Sequence, residues 1–256
     1  MKDVFDIYDE VFQSNTDLAQ SLVEKHIQKI KELDEFLPQG LSFFILTDTS
    51  RNSFPYVSKN FVSNLGLDPE MMKIHGPNYW FQFFHPDDLE IWVKLLPDLM
   101  QFTMTEVDPE IRLKLSYTWS FRVKNADGKY VNLFEHEVPY LLDDEGKPVV
   151  GLGHLTIVGE GEPMPIKGTV KYLNDQGEYE TLYVKSYSQK LLSGGLSNRE
   201  LDIVRLLALD HSSKEIGDLL SISSHTVDTH RRNILKKLNI NSTGELVGYM
   251  KTHQLY

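Results

Sequence analysis

The sequence predicts an α+β fold, an antiparallel sheet with flanking helices followed by an all-α domain of four helices. Three observations carry this. Alternating apolar and polar runs, broken by Asp-Gly and Glu-Gly turns, occupy residues 114–158. Beyond Gly195 the apolar residues recur at helical spacing only. Three Ser/Glu capping boxes punctuate that last region. A chain of 256 residues is long enough for two modest domains, each with its own core.

Residues 1–37 read as one helical segment. Leu18, Leu22, Ile27, Ile30, Leu33 and Leu37 recur at helix-face spacing, Asn15 or Thr16 is the candidate cap, and Pro38-Gln39-Gly40 ends the run. Such a segment either covers the sheet of the next domain or pairs with a second subunit. Residues 38–160 form the sheet domain. Strands are expected at 41–47 and 53–57, then short helices interrupted by Pro69, Gly76, Pro77 and Pro86, then a longer helix over 87–102. Three antiparallel strands follow at 114–124, 130–142 and 149–158, turning at Asn125-Ala126-Asp127-Gly128 and Asp143-Asp144-Glu145-Gly146. Residues 161–192 form a linker with a β-hairpin about Asn174-Asp175-Gln176-Gly177, either an addition to the sheet or a strut to the next domain. Ser193-Gly194-Gly195 is a flexible joint into the all-α domain, residues 193–256.

Hydrophobic content of 41% and charged content of 25% are ordinary for a globular protein. No apolar run is long enough to cross a bilayer, so no membrane partner is expected. The start, Met1-Lys2-Asp3-Val4-Phe5-Asp6, is acidic where a secretory signal is basic and then apolar, which predicts a cytoplasmic location. Cysteine is absent, which excludes disulfides, thiolate metal sites and cysteine nucleophiles. The net charge of −11 is unevenly divided. From Leu191 onward Arg199, Arg205, Lys214, Arg231, Arg232, Lys236, Lys237 and Lys251 slightly outnumber Glu200, Asp202, Asp210, Glu215, Asp218, Asp228 and Glu245. The acid excess therefore lies before them. An acidic body with a near-neutral tail suits two separate functions, and the cluster Arg231, Arg232, Lys236 and Lys237 is what a phosphate backbone would meet.

In that tail, Ser197–Glu200, Ser212–Glu215 and Ser242–Glu245 open three helices, and a fourth starts near Ser223 or Ser224 and runs through Leu238. Ile203, Leu206, Leu207, Ile216, Leu219, Leu220, Ile222, Val227, Ile234 and Leu238 are the expected core. Ser221-Ile222-Ser223-Ser224 is the short connection that a helix-turn-helix needs. On the helix after it, Val227, Ile234 and Leu238 point inward, while His225, Asp228, Thr229, Arg232 and Lys236 share the opposite side. A polar outer face of this kind can lie in the major groove. An ordinary solvated helix has the same charge pattern.

Leu196-Ser197-x-Arg199-Glu200, Leu207-Ala208, Ser212-x-Lys214-Glu215-Ile216, Leu220-x-Ile222-Ser223, Thr226-Val227-x-x-His230, Ile234 and Lys237-Leu238 resemble the LuxR-type helix-turn-helix over nearly all of residues 196–250. The resemblance implies sequence-specific binding of double-stranded DNA as a homodimer. It implies that Asp228, Thr229 and Arg232 face the bases and that Ser212, Lys214, Thr226, His230 and Lys236 approach the phosphates. It also marks the last helix, with Leu246, Val247, Tyr249 and Met250, as the dimerisation element. Two residues depart from the family pattern. Asp228 stands where a basic residue is common and can accept from cytosine N4. Asp210 stands where glycine is favoured at the end of the first helix.

Residues 40–158 resemble the PAS domain. The resemblance rests on Tyr56-Val57-Ser58-Lys59-Asn60-Phe61, Leu65-Gly66-Leu67, Phe84-His85-Pro86-Asp87-Asp88 and the hairpins at Lys124–Gly128 and Asp144–Pro148. It implies a PAS-like antiparallel sheet with flanking helices around a cavity, which relatives use to sense small molecules, cofactors or partner proteins. The alternative is a dimerisation or docking module with no ligand. His85-Pro86-Asp87-Asp88 reads as a helix start rather than an acid/base or metal site. His75, His85, His136 and His154 lack zinc-ligand spacing, so no metal and no cofactor is expected, although His75 is a candidate haem ligand as in some PAS relatives. Phe43, Tyr56, Phe61, Tyr79, Trp80, Phe83, Trp119 and Phe121 either fill the core or line a pocket. Asp48 is the only candidate phosphoacceptor of a response regulator, and its acidic companions are missing. With no nucleophile–base pair or phosphate loop, an enzyme is not expected.

Overall fold

The protein, seen in a computed structural model, is described over residues 4–12, 14, 20–160, 164–187, 196–238 and 240–252. It divides into two compact units, Met1–Lys185 and Ser186–Tyr256. Ser193-Gly194-Gly195, and the caps expected at Asn15 or Thr16, lie outside the described residues.

The first unit is a seven-stranded antiparallel sheet. The strands are β1 (Ser42–Asp48), β2 (Ser53–Val57), β3 (Leu115–Lys124), β4 (Tyr130–Leu142), β5 (Pro148–Glu160), β6 (Lys167–Leu173) and β7 (Tyr179–Ser186). Their spatial order is β2-β1-β5-β4-β3-β6-β7. The first five in that row, with four helices inserted between β2 and β3, make the PAS-like sheet expected from the sequence. The hairpin β6–β7 extends it beyond β3, with Leu115 opposite Tyr172 and Tyr117 opposite Val170. Lys185 Nζ on β7 reaches Asp98 Oδ2 at 2.6 Å, tying the added edge to a helix.

The inserted helices are α3 (Asn60–Leu65), α4 (Pro69–His75), α5 (Pro77–Trp80) and α6 (Pro86–Glu106). The His-Pro-Asp-Asp sequence starts α6, as its proline and acids require. Pro86 occupies the first turn, and the Asp87 amide donates to His85 Nδ1 at 3.2 Å. Asp88 turns inward to a buried, two-pronged pair with Arg122 of β3. Arg122 Nη2 donates to Oδ1 at 2.6 Å, and Nε and the backbone N–H donate to Oδ2 at 2.9 and 2.8 Å.

Residues before the sheet form two helices where one was expected, α1 (Val4–Phe12) and α2 (Gln20–Phe36). They serve opposite faces of the sheet. Val23, Ile27 and Ile30 of α2 pack on Leu46, Val150 and Leu152 of the outer face. Asp34 Oδ2 anchors the end of α2, accepting from Tyr56 Oη and the Lys59 amide, each at 2.8 Å. The buried stripe is thus Val23–Ile27–Ile30–Asp34, and Leu22 and Leu33 are exposed. On the inner side Tyr8 of α1 is buried, stacked 6.1 Å from Trp92 of α6 and edge-on to Phe81 at 5.5 Å.

The second unit comprises α7 (Asn198–Ala208), α8 (Ser213–Leu220), α9 (Ser224–Leu238) and α10 (Thr243–Thr252). Full capping boxes at Ser197/Glu200 and Ser212/Glu215 start α7 and α8. At α10 the Glu245 amide donates to Ser242 Oγ, but Glu245 Oε2 accepts from the Asn241 amide instead of completing the box. Ile203, Val204, Leu207, Ile216, Val227 and Ile234 form the core, joined by Leu246 and Met250 of α10. Leu219, expected inside, is exposed, because α8 turns Ile216 inward and Leu219 to its outer side. Among the described residues no helix is long and apolar enough to cross a membrane.

Removing one partner of a buried ion pair leaves a charge with neither water nor counterion, at a cost of about 3–5 kcal/mol. Asp88→Ala is expected to destabilise the first unit by about that amount in denaturant unfolding. An unchanged midpoint would show that the pair does not hold α6 to β3.

Candidate DNA interface and a carboxyl-bearing cavity

Helices α8 and α9 meet across a tight turn. Ser221 adopts a left-handed conformation (φ 54°), and the Ile222 amide donates to the Gly217 carbonyl at 2.9 Å. A Cβ on Gly217 would lie 2.7 Å from the Ile222 carbonyl oxygen, so the glycine lets the turn close on α8. Ser223 then caps α9, its Oγ accepting from the Thr226 amide at 3.0 Å. Val227 and Ile234 are fully buried, and the polar side of α9 faces outward.

On that side Arg232 leans along the helix. Its Nη2 donates to Thr229 Oγ1 at 3.2 Å, and the Thr229 hydroxyl donates to the His225 carbonyl at 3.0 Å. Asp228 is exposed but engaged through one oxygen. Oδ1 accepts from Ser213 Oγ at 2.7 Å and from Arg231 at 3.3 Å. Lys214 and Lys236 are exposed, and Thr226 and His230 are half-buried beside them. Ser212 remains exposed while its hydroxyl completes the α8 capping box.

The basic cluster of α9 divides. Arg231 Nη1 bonds Ser213 and Nη2 bonds Thr243 Oγ1 at 2.8 Å, linking the starts of α8 and α10 to α9. Lys237 Nζ pairs with the nearly buried Glu200 at 2.7 Å. Burial pushes the Glu200 carboxyl up, but hydrogen bonds from Lys237 and Ser197 outweigh it and hold the group below its usual value. Only Arg232 and Lys236 of the four are turned outward without such ties to the other helices. Arg231 and Lys237 of the expected phosphate cluster are thus engaged by neighbouring helices in the free domain.

Leu246 and Met250 are 1% and 2% exposed inside the bundle, so neither is free to form a subunit contact. Helices α7 to α9 leave an apolar side open, and α10 closes it. Val247 is partly buried against the same core, and the Tyr249 side chain lies outside the described residues.

In the first unit, α1, α5 and α6 border a partly open cavity of about 110 Å³ against the inner face of the sheet. Tyr8, Trp80, Trp92 and Trp119 are among its walls, so the abundant aromatics supply both core and lining. Phe43, Phe61 and Phe121 are core, and Tyr56 lies on the outer face. Sequence reasoning missed Glu135 and Glu137, two carboxyls on one side of β4 that line this cavity. Their alternation after Val131 and Leu133 in a predicted strand was the available signal. Trp119 Nε1 donates to Glu135 Oε2 at 2.9 Å, whereas Glu137 Oε2 is buried with no hydrogen-bond partner among the described residues. Burial raises both carboxyls above the ordinary range. For Glu135 the Trp119 bond partly opposes this, and for Glu137 the neighbouring Glu135 adds to it.

His136 and His154 face each other across β4 and β5 at alternate positions to the two glutamates, and His75 is exposed at the end of α4. Both oxygens of Asp48 are occupied, by Ser50 at 2.6 Å and Arg51 at 2.8 Å.

Together the turn, the caps and the outward polar face of α9 define the second unit as a helix-turn-helix domain. Residues 195–250 match the family described as bacterial regulatory proteins, luxR family, and this domain is a luxR-type helix-turn-helix. Its relatives include the Fimbriae Z protein of Salmonella typhimurium, 45% identical over 60 residues, which are 23% of this chain and 29% of that protein. The transcriptional regulatory protein MctR of Rhizobium johnstonii is 44% identical over 61 residues, 24% of this chain and 28% of that one. The chain thus spans under a third of the length of these curated relatives. Among solved structures, the complex of phage VqmA with DPO aligns over 90% of each chain at 14% identity and a TM-score of 0.38. The Vibrio cholerae VqmA dimer without target DNA aligns over 88% of this chain and 87% of that one, at 12% identity and a TM-score of 0.31. At these scores the likeness carries no further argument.

Two outcomes are expected. Leu246→Ala should cost the helical unit about 2–5 kcal/mol, as for a large-to-small change in a core. A variant equally stable but shifted to monomer in sedimentation would return this side chain to an interface. For the carboxyls, the unfolded chain ionises from about pH 4.3 upward while the folded cavity retains protons, so they reduce stability increasingly as pH rises. Glu137→Gln should therefore raise the melting temperature more at about pH 8 than at about pH 5. A gain that is the same at both would mean that Glu137 is ionised in the folded state.

Proposed function

We propose that the protein is a cytoplasmic, sequence-specific transcription regulator, without catalytic activity, that binds double-stranded DNA as a homodimer. The carrying observation is the outward face of α9 in a capped helix-turn-helix, where Asp228, Thr229 and Arg232 lie within one turn. Arg232 can donate a pair of hydrogen bonds to guanine O6 and N7. Ser213 and Arg231 bond only Oδ1 of Asp228, which leaves Oδ2 for a cytosine N4. Both contacts favour a G·C-containing half-site. Ser212, Lys214, Thr226, His230 and Lys236 border this face and serve as phosphate contacts. One recognition helix reads one half-site, so a homodimer on a two-fold operator supplies the second. Val247 and Tyr249 remain the α10 candidates for that contact.

In this reading the sheet domain, residues 38–160 with the helical segment 1–37, senses a small molecule in its cavity and biases DNA binding by residues 193–256. The hairpin region 161–192 lies between them in the chain. A second reading has one observation in its favour. Phe134 and Val158, on the neighbouring strands β4 and β5, are exposed large apolar residues, which suits a module that only dimerises or docks a protein.

The salt dependence of DNA binding separates the two lysines near the end of α9. Lys236→Ala should flatten the slope of log affinity against log salt by about one unit on any DNA sequence. Lys237→Ala should leave the slope unchanged and destabilise the bundle. Arg232→Ala should cost about 1–3 kcal/mol on the selected site and relax preference at one base position. Sites selected from random DNA by wild type and Arg232→Ala with identical information content would overturn the base-reading assignment.

A further inference from the structure

The cavity of the first unit has features that packing alone does not require. Its walls are largely apolar and rich in aromatic rings, yet two carboxyls stand in them. Among the described residues no lysine or arginine bonds to Glu135 or Glu137, and no cation opposes the rise of either carboxyl. Room for them is provided by β5, where Gly153 pairs with Glu137 and Gly151 with Pro139. A Cβ on Gly153 would lie 2.8 Å from Glu137 Oε2 and 2.9 Å from Glu135 Oε1. The two carboxyl groups thus reach a common point over a glycine-lined floor. Among the described residues Glu137 Oε2 finds no donor, and Trp92, another wall residue, has its Nε1 buried without an acceptor. Keeping unpaired polar atoms beside indole rings costs stability, and sites that carry such a cost are often functional.

Resting on the sensing reading above, we infer that the cavity binds a compact, flat organic cation. Its N–H groups donate to Glu135 and Glu137 while its face lies against Tyr8, Trp80 and Trp92. Charge and size both select this class. A cation meets paired carboxyls and aromatic faces with the same sign of attraction. A dry cavity of about 150 Å³ holds benzene, so one of about 110 Å³ takes a single small ring or an amidinium. Raised carboxyls also set the pH response. Binding must drive off protons that the empty cavity retains, so affinity for a permanently charged amidinium increases with pH.

The test uses calorimetry on the full chain with aminoimidazolium and with aminothiazole, its near-isostere that is uncharged at neutral pH. Acetamidinium, which stays charged, serves for the pH series. Aminoimidazolium should bind at least about tenfold more tightly than aminothiazole. Glu137→Gln and Glu135→Gln, whose folding is checked by melting, should each lose about tenfold or more. Acetamidinium should bind more tightly with rising pH, by up to about tenfold per unit. Equal binding of the charged and uncharged rings, full affinity in both glutamine variants, or binding of neither ring overturns the inference. DNA affinity measured with and without aminoimidazolium tests the other reading separately. If the cation binds as described but operator affinity does not move, the ligand class stands and the sensing role fails.

Discussion

The sheet of β2, β1, β5, β4 and β3 presents two apolar faces, and each must be covered before the domain is stable. The chain covers them with helices from both ends of the insertion and from its N-terminal segment. On the outer face the cover is α2, laid down by Val23, Ile27 and Ile30. On the inner face α5 and α6 pack most of the sheet, and α1 brings Tyr8 against Trp92 and Phe81. The Asp88–Arg122 pair fixes where α6 begins relative to β3. Trp92, Leu96, Leu99 and Met100 of α6 then line the cavity with Glu135 and Glu137. The cavity is a consequence of how the inner face is closed.

The same economy of polar groups governs the helical unit. Arg231 and Lys237 look like phosphate contacts by residue type but act as ties. Arg231 joins the starts of α8 and α10, and Lys237 neutralises Glu200, whose other bonds are the capping box of α7. A bundle of four short helices buries little apolar surface, so such ties supply orientation that the core alone does not. What remains for a ligand is a narrow outward strip of α9, in which Asp228 is half committed to Ser213 and Arg231. This arrangement couples the outward strip to the ties behind it, since any movement of Arg231 shifts a partner of Asp228.

The two units spend buried charge differently. Glu200 is buried with a lysine and two serine bonds, and its carboxyl lies below the usual range. Glu135 and Glu137 are half-buried with no cation bonded to either among the described residues, and desolvation drives theirs above it. The first pattern stabilises a fold. The second destabilises it at neutral pH and leaves unmet hydrogen-bonding capacity in a largely apolar cavity, a setting in which a charged ligand gains more than in open water.

By itself the sequence determined the strands of the sheet, the helix start at His85-Pro86, the three serine caps and the four helices of the tail. Each is local. Period, turn chemistry and capping act over a few residues and need no knowledge of distant partners. Ordered motif positions over residues 196–250 made the helix-turn-helix legible for the same reason. Tertiary structure decided what spacing cannot encode. The N-terminal segment divides into α1 and α2 because two sheet faces need covers. Leu219 faces out while Leu246 and Met250 face in, because the fourth helix and not α8 closes the bundle. Glu135 and Glu137 line one cavity because Gly151 and Gly153, distant in sequence, lie beneath them. Those outcomes depend on which surfaces meet, and only packing brings the surfaces together.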